Sequence, residues 1–406
     1  MKNILVVTPI YPGPNVPQGF TPVVHYFAKE WMKMGYTIKV ISLPSTFPSI
    51  YYKVSNRFIG LIESINGHSI NNTSPKQDVY NWEGVSVSQY PMLKYLPHMR
   101  YHNKVVTSTI DKILKGLEEA DFTPDVIVGH WENPTIEVIT RLKTILNVPC
   151  SVVFHSDGSN FKQIYGTKAK EMLSNLDLIG FRSTANRDKF ERNFGAFSNT
   201  FLCYSGVPKE LLKSSNYDRS FDSINSFIFV GSLIRRKFPY ENLIALLGSN
   251  IREFEYKVIG SGFESNKIEQ LIQKRPVLKH NVKLYGRIPR EKVAEELARS
   301  DVFIMISKSE VFGLVYLEAM SKGCITIASK GEAFDGIIID GVNGFLCAPG
   351  NVAELTTILN SIVSMPKQRL IEISKNAITT ATKFTDENVA LDYLEHIKSI
   401  TNPSKR

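Results

Sequence analysis

The 406-residue chain predicts an α/β protein built from two doubly wound domains. Three observations lead there. Short apolar runs alternate with longer amphipathic stretches through both halves, the pattern of parallel sheets with right-handed helical crossovers. The length is more than one ordinary core holds and suits two. A polar, irregular stretch at 205–223, containing Gly206, Pro208 and Asn216-Tyr217-Asp218, reads as a linker between the halves.

In the first half, strands are predicted at 3–8, 37–42, 124–129, 149–154 and 176–181, each a brief apolar run too short for a helix. Amphipathic spacing predicts helices at 21–34 and 134–144. The second half repeats the scheme, with strands at 226–230, 255–259, 282–285, 302–306 and 324–328. Its helices are predicted at 239–247, 264–274, 290–299 and 314–322, and a helical segment at 376–397 follows. Two such domains are expected to face each other across a cleft lined by carboxyl strand edges, where open α/β sheets bind ligands.

Composition narrows the function. A hydrophobic share of 43% with 11% aromatic residues suits a folded globular chain. No apolar run approaches the ~20 residues of a bilayer span, and Met1-Lys2-Asn3 leads straight into Ile4-Leu5-Val6-Val7, a first strand rather than a signal segment. Cys150, Cys203, Cys324 and Cys347 are scattered in apolar surroundings, so a reducing cytoplasm is expected. With no Asp-x-Asp pair after a strand and no His/Cys cluster, neither a metal site nor a cofactor is expected.

The net charge of +9 is dispersed, without a basic run or nucleic-acid motif. That favours a diphosphate substrate and a weak anionic membrane surface over nucleic acid, with a merely basic surface as the alternative. Residues 89–106 (QYPMLKYLPHMRYHNKVV) interleave Tyr90, Met92, Leu93, Tyr95, Leu96 and Tyr101 with Lys94, Arg100 and Lys104. The mixture suits a membrane interface, the alternative being a segment that packs on its own domain.

The most informative stretch is Ser309 to Cys324 (SEVFGLVYLEAMSKGC). Glu310 falls in a strand-to-helix turn at the carboxyl edge of a sheet, and Gly313 opens the following helix. The free N–H groups of Gly313 and Leu314 suit a phosphate, and Glu310 and Glu318 are acceptor-only groups suited to sugar hydroxyls. Together they describe a nucleotide-sugar. Lys237, with Arg235 and Arg236 after the glycine turn at Gly231, suits a diphosphate. His155 ends the strand at 149–154 and is placed at the same kind of edge; so is His130, equally readable as structural. His25, inside an amphipathic helix, reads as structural. Gly260 and Gly262 (IGSGF) and Tyr285-Gly286-Arg287 follow two further strands and could frame a base, or could simply turn. The loop 11–20 (YPGPNVPQGF) follows the first strand.

At these residues the chain resembles the family-4 retaining glycosyltransferases of the GT-B fold. The resemblance is carried by Glu310, seven intervening residues and Glu318, with Phe312-Gly313-Leu314 inside. Ala319-Met320, Gly323, Gly331, Asp340-Gly341, Asn343-Gly344-Phe345, Pro349-Gly350-Asn351, Phe229-Val230-Gly231 and Lys237 agree with it. It is strong over 225–351 and weaker over the first half. It implies two Rossmann-like domains: 1–205 plus 385–406 on the acceptor side, because the family's terminal helix crosses back, and 206–384 binding the nucleotide-sugar donor.

The resemblance further implies that Glu310 and Phe312-Gly313-Leu314 hold the donor sugar, Glu318 the ribose, Lys237 the diphosphate, and His155 a position near the reacting sugar. It gives Gly19 a place near the donor phosphate. Transfer to a hydroxyl acceptor, lipid-linked if the membrane reading holds, would then serve surface polysaccharide or glycolipid assembly from the inner face of the membrane. Ser232 stands where the family usually has an arginine, Phe238 where it prefers glycine, and a single Gly19 where it often has two. Two other readings stay open: a nucleotide-sugar-binding protein without transfer, and an epimerase on the same fold.

Overall fold

A computed structural model describes residues 1–14, 22–50, 52, 74–96, 99–213 and 219–401. Gly19, Thr21 and residues 214–218 of the expected linker lie outside the described residues. The chain divides into two compact units, one taking in residues up to Tyr204 and from Asp386 onward, the other Ser205–Thr385.

The first unit is built on an eight-stranded sheet. Its spatial order is Thr200–Leu202, Leu178–Phe181, Cys150–Phe154, Val126–His130, Asn3–Thr8, Thr37–Ser42, Val85–Gln89 and Asp78–Trp82. All neighbours are parallel except the last pair, an antiparallel hairpin turned at Glu83-Gly84. That hairpin escaped the sequence reading because Val85-Ser86-Val87-Ser88 alternates and never forms an apolar run. The central strands are buried on both faces, which is why they read as unbroken Val/Ile/Leu segments. Helices cover them. Val24, Phe27, Ala28 and Trp31 form the inner stripe of Val23–Lys33, and Trp31 Nε1 donates to the Ala390 carbonyl at 2.9 Å.

The second unit carries a six-stranded, wholly parallel sheet. Its order is Val282–Gly286, Glu255–Ile259, Ser226–Val230, Val302–Ile304, Ile325–Ser329 and Phe345–Cys347. Numbered along the chain this is 3-2-1-4-5-6, the dinucleotide-fold order, with its switch point between Ser226–Val230 and Val302–Ile304.

Three expectations are corrected. The strand expected at 302–306 ends at Ile304, although Met305 still donates to the Ile327 carbonyl at 3.1 Å. The helix expected at 376–397 is two helices, Lys367–Thr382 and Asp386–Thr401. Between them the chain turns at Lys383 and Phe384, whose N–H groups donate back to Thr380 and Ala381; Val207 bridges Thr385, and its N–H donates to the Phe384 carbonyl at 2.9 Å. The stretch 205–223 is more than a linker, since it contains the short helix Lys209–Lys213 and the buried Arg219.

Arg219 donates from Nε to the Lys322 carbonyl at 3.0 Å, from Nη1 to Ser300 at 2.6 Å, and from Nη2 to Leu297 and Ala298 at 3.0 and 2.9 Å. These carbonyls end Arg290–Ala298 and Leu314–Ser321. One guanidinium thus satisfies the orphan acceptors and the negative dipole ends of two helices. Arg219→Met should therefore lower the unfolding free energy by about 2–4 kcal/mol, given about 1.5–3 kcal/mol for a charge-assisted hydrogen bond. A reduced urea midpoint reads this out, with Arg219→Lys recovering only part because an ammonium lacks the planar fork. A wild-type midpoint for Arg219→Met would mean that the carbonyls find other partners.

Candidate active site

In the second unit three strand ends are joined backbone to backbone. Gly231 N–H donates to the Ile259 carbonyl at 2.9 Å, Leu233 to Ser261 at 2.9 Å, Gly260 to Gly286 at 2.8 Å, and Glu264 to Leu233 at 3.0 Å. Gly260, at φ +136°, passes so close to the Gly231 carbonyl that a Cβ would collide with it, and Gly262 lies as tightly against the Leu233 carbonyl. These glycines are needed for close approach of loops. Arg287 Nε donates to Ser261 Oγ at 2.7 Å and braces the same loop.

Beyond Leu233 the chain makes a 3-10 turn, Arg235–Lys237, and Phe238 takes a left-handed conformation, φ +55° and ψ +40°. That conformation accounts for the glycine the family prefers here. In this chain the ring lies against Gly350.

The turn after Val302–Ile304 meets this one across the switch point. Lys308 N–H donates to the Arg236 carbonyl at 2.8 Å, and Arg236 Nη1 reaches the Ser309 carbonyl at 3.4 Å. Lys237 Nζ forms a direct ion pair with Glu310 Oε2, and Arg236 Nη1 stands 3.6 Å from the same oxygen. Ser307 Oγ donates to it at 3.4 Å. The Lys237 and Glu310 side chains are both 11% exposed. Burial pushes the Glu310 carboxyl up, but the charge and hydrogen bond of Lys237, with Arg236 and Ser307, more than offset this and hold it below the ordinary carboxylate range.

Behind the pair, Tyr316 OH donates to the Met305 carbonyl at 2.6 Å and contacts Ser307 Oγ at 3.2 Å. The Phe312 ring is buried against Phe334, so this residue offers a ligand its backbone rather than its ring. Gly313 caps the helix Leu314–Ser321 at φ +82°, where a Cβ would press on the Tyr316 ring. The first N–H groups of that helix, Leu314 included, lack intrahelical partners by geometry.

Glu318 lies one turn inside the helix. Arg290 Nε donates to its Oε1 at 2.8 Å, and Nη2 stands 2.6 Å from the same oxygen as an ion pair. Arg290, Tyr316 and Ser307 escaped the sequence reading. A cation opening the helix at 290 resembles any surface residue until the fold brings it to Glu318.

In the first unit, His155 follows Cys150–Phe154 and His130 ends Val126–His130, adjacent parallel strands. His130 Nδ1 and His155 Nε2 are 3.1 Å apart. The Trp131 and His155 rings stack, with centroids 3.9 Å apart and planes 15° off parallel. Ser156 Oγ donates to the Glu132 carboxylate and accepts from Gly158 N–H at 3.0 Å. Three consecutive residues, His130 to Glu132, therefore grip the turn at 155–158. Trp131 and Glu132 escaped the sequence reading, although both directly follow the edge histidine. Burial, followed by the charge of Arg182, depresses both imidazoles: His130 to about 3, and His155 well below its ordinary value. His25 is buried and pairs with Tyr11 OH at 2.9 Å, a structural role.

The aromatic-basic stretch at 89–106 is largely internal. Tyr90, Met92, Tyr101 and Val106 are core residues. Lys94 is buried, with Nζ 4.8 Å from the centre of the Tyr101 ring, and Arg100 pairs with Glu137 at 2.7 Å. Leu93, Tyr95, Leu96, Met99 and Lys104 are exposed, while Pro97 and His98 lie outside the described residues. No described helix is long and apolar enough to cross a membrane. The four cysteines are free and buried. Among the described residues no group of three or more His, Cys, Asp or Glu side chains could hold a metal ion.

The chain is similar to known proteins over most of its length. Residues 218–380 match the family described as glycosyl transferases group 1. An N-acetyl-alpha-D-glucosaminyl L-malate synthase of Bacillus anthracis is 32% identical over 271 residues, spanning 66% of this chain and 70% of that protein. An uncharacterized glycosyltransferase of Methanocaldococcus jannaschii is 26% identical over 87% of this chain and 97% of its own. Among solved structures, a sucrose-phosphate synthase of Thermosynechococcus elongatus superposes with a TM-score of 0.68 at 19% identity, covering 98% of this chain and 99% of that one. An Anabaena protein in complex with UDP-glucose gives 0.66 at 18% identity, covering 98% of this chain and 100% of that one.

The Lys237–Glu310 contact should be measurable as a coupling. Breaking a buried pair from either side, as Lys237→Met or Glu310→Gln, should cost about 3 kcal/mol, and the double variant should cost less than the two singles together. Additive losses in chemical unfolding would show that the pair is not energetically real. Because the folded Glu310 carboxyl is depressed, its contribution is present above the unfolded carboxyl's pKa. It is lost as pH falls through the folded value, so the gap between wild type and Glu310→Gln should close on acidification below the carboxylate range.

Proposed function

The chain belongs to the glycosyl transferases of group 1 and has the GT-B fold, and on that footing we propose that it transfers a sugar from a nucleoside-diphospho-sugar to a hydroxyl acceptor with retention. The observation that carries this is the Lys237–Glu310 pair at the switch point, beside the amino end of Leu314–Ser321. A cation, a carboxylate and a helix N-terminus at one sheet edge match the three parts of such a donor. That a GT-B neighbour was solved with UDP-glucose supports the donor class.

Without ligand, Lys237 and Glu310 neutralise each other. In the proposal the donor exchanges this pair for two new ones, the diphosphate taking Lys237 and the sugar hydroxyls taking Glu310. The bond from the anomeric carbon to the diphosphate oxygen breaks, and one to the acceptor oxygen forms on the same face. The acceptor proton passes to the departing phosphate oxygen. Lys237 and the helix end stabilise the charge that develops there, so no metal is required. Arg290 orients Glu318 for the ribose, and His155 supplies a hydrogen bond to a sugar oxygen. Arg236 lies nearer the pair than Arg235 does and is the better candidate to stand in for the arginine replaced by Ser232.

Glu310→Gln should abolish most turnover while leaving the fold intact, and wild-type turnover should persist in EDTA. Release of nucleoside diphosphate with and without acceptor measures both. Near-normal turnover in Glu310→Gln would sink the site. Complete loss in EDTA restored by Mg²⁺ would sink the metal-free reading, and product without acceptor would indicate hydrolysis or isomerisation.

The proposal includes peripheral attachment at the inner face of a membrane, serving surface polysaccharide or glycolipid assembly. The exposed Leu93, Tyr95, Leu96 and Met99, with Lys104 close in sequence, support it. Tyr95→Ser with Leu96→Ser should then reduce co-sedimentation with anionic vesicles at low salt and leave turnover on a soluble acceptor unchanged. Vesicles ignored by the wild type would remove the membrane from the reading.

A further inference from the structure

His130 is fully buried, packed against the Phe27, Trp131 and Tyr393 rings. Its Nδ1 lies 3.1 Å from His155 Nε2, and among the described residues its own buried Nε2 has no hydrogen-bond partner. Two neutral imidazoles can share this contact in only two ways, since one nitrogen must carry the proton and the other must not. If His155 donates, His130 holds its proton on Nε2, a buried N–H without an acceptor. If His130 donates, the unpartnered atom is a bare lone pair. Leaving a buried donor unpaired is the costlier choice, as orphaned buried N–H groups are rarer than under-used acceptors.

We propose that His130 is a positioning residue: its Nδ1–H fixes His155 as the tautomer protonated on Nδ1, so that His155 meets its ligand as a hydrogen-bond donor. The contact uses up His155 Nε2 and leaves Nδ1 as the ring nitrogen for a ligand. Stacking on Trp131 sets the plane of the ring, and the Glu132–Ser156 bond holds the turn that carries it. Burial and the nearby Arg182 keep both rings uncharged, which preserves the tautomer choice at neutral pH. The partner is an acceptor oxygen without an obligatory proton to give, such as a sugar hydroxyl or ring oxygen. The identity of that partner, though not the tautomer, rests on the transferase reading.

The test has two arms on the full chain. Long-range ¹H–¹⁵N spectra of protein labelled at histidine, with the His155 signals assigned by their loss in His155→Gln, should show the Nδ1–H pattern without any ligand. An Nε2–H pattern at His155 overturns the proposal. In the second arm, His130→Asn places an amide N–H near the old Nδ1, and His130→Leu removes the donor. The Leu variant should lose the single tautomer at His155 and fall roughly tenfold in kcat/KM, the worth of one hydrogen bond. The Asn variant should keep both. A Leu variant that retains the Nδ1–H pattern and wild-type turnover overturns the proposal. If the Leu variant does not fold, the wild-type spectrum and the Asn variant decide. The spectra need no substrate, so a wrong donor class would show as absent turnover with the tautomer intact.

Discussion

Where neighbouring parallel strands send their chains to opposite sides, no crossover covers the gap between them. In the second unit this happens between Ser226–Val230 and Val302–Ile304, and the arrangement of the candidate site follows from it. The two turns that leave these strands meet each other there. Lys308 N–H on the Arg236 carbonyl ties them, and the Lys237–Glu310 pair closes the contact. The glycine-tight junction of Gly231, Gly260 and Gly286 holds the adjoining strand ends in line.

The two units treat charge differently. In the second, the charges of the candidate site are partnered: Lys237 and Arg236 face Glu310, Arg290 pairs with Glu318, and Arg219 takes the carbonyl ends of two helices. Such matching stabilises little on balance, because desolvation consumes most of the attraction. What it does is hold acceptors and donors ready at a fixed place. In the first unit the edge histidines are neutral. His130 is buried and His155 half-buried near Arg182, which disfavours a second positive charge there.

Some of the site was legible because its signal is local. Glu310, Gly313 and Glu318 lie within nine residues of one another, on a turn and a helix that hydrophobic period alone predicts. Lys237 was legible for the same reason, as a cation after a strand and a glycine. Arg290, Tyr316 and the Trp131-Glu132 pair were not, because each acts on a partner that only the fold brings near. In the stretch 89–106 the fold divides residues that composition could not. Lys94 and Tyr101 have interfacial composition, but the sheet takes them inside, where the ammonium lies over the ring. The hairpin 78–89 was missed because serine in alternate positions hides a strand that is buried all the same.

By itself the sequence determined the class of fold, the alternation of strands and helices, and the choice of Glu310, Glu318 and Lys237 as candidates. Those rest on period and on neighbours in the chain, which carry their own physics. Tertiary structure alone decided that Lys237 would neutralise Glu310, that Phe238 would take a left-handed conformation, that Arg219 would close two helices, and that His130 would meet His155. Each of these depends on which strands lie side by side. A chain's own spacing does not contain that adjacency, because it is set by burying both faces of a parallel sheet at once.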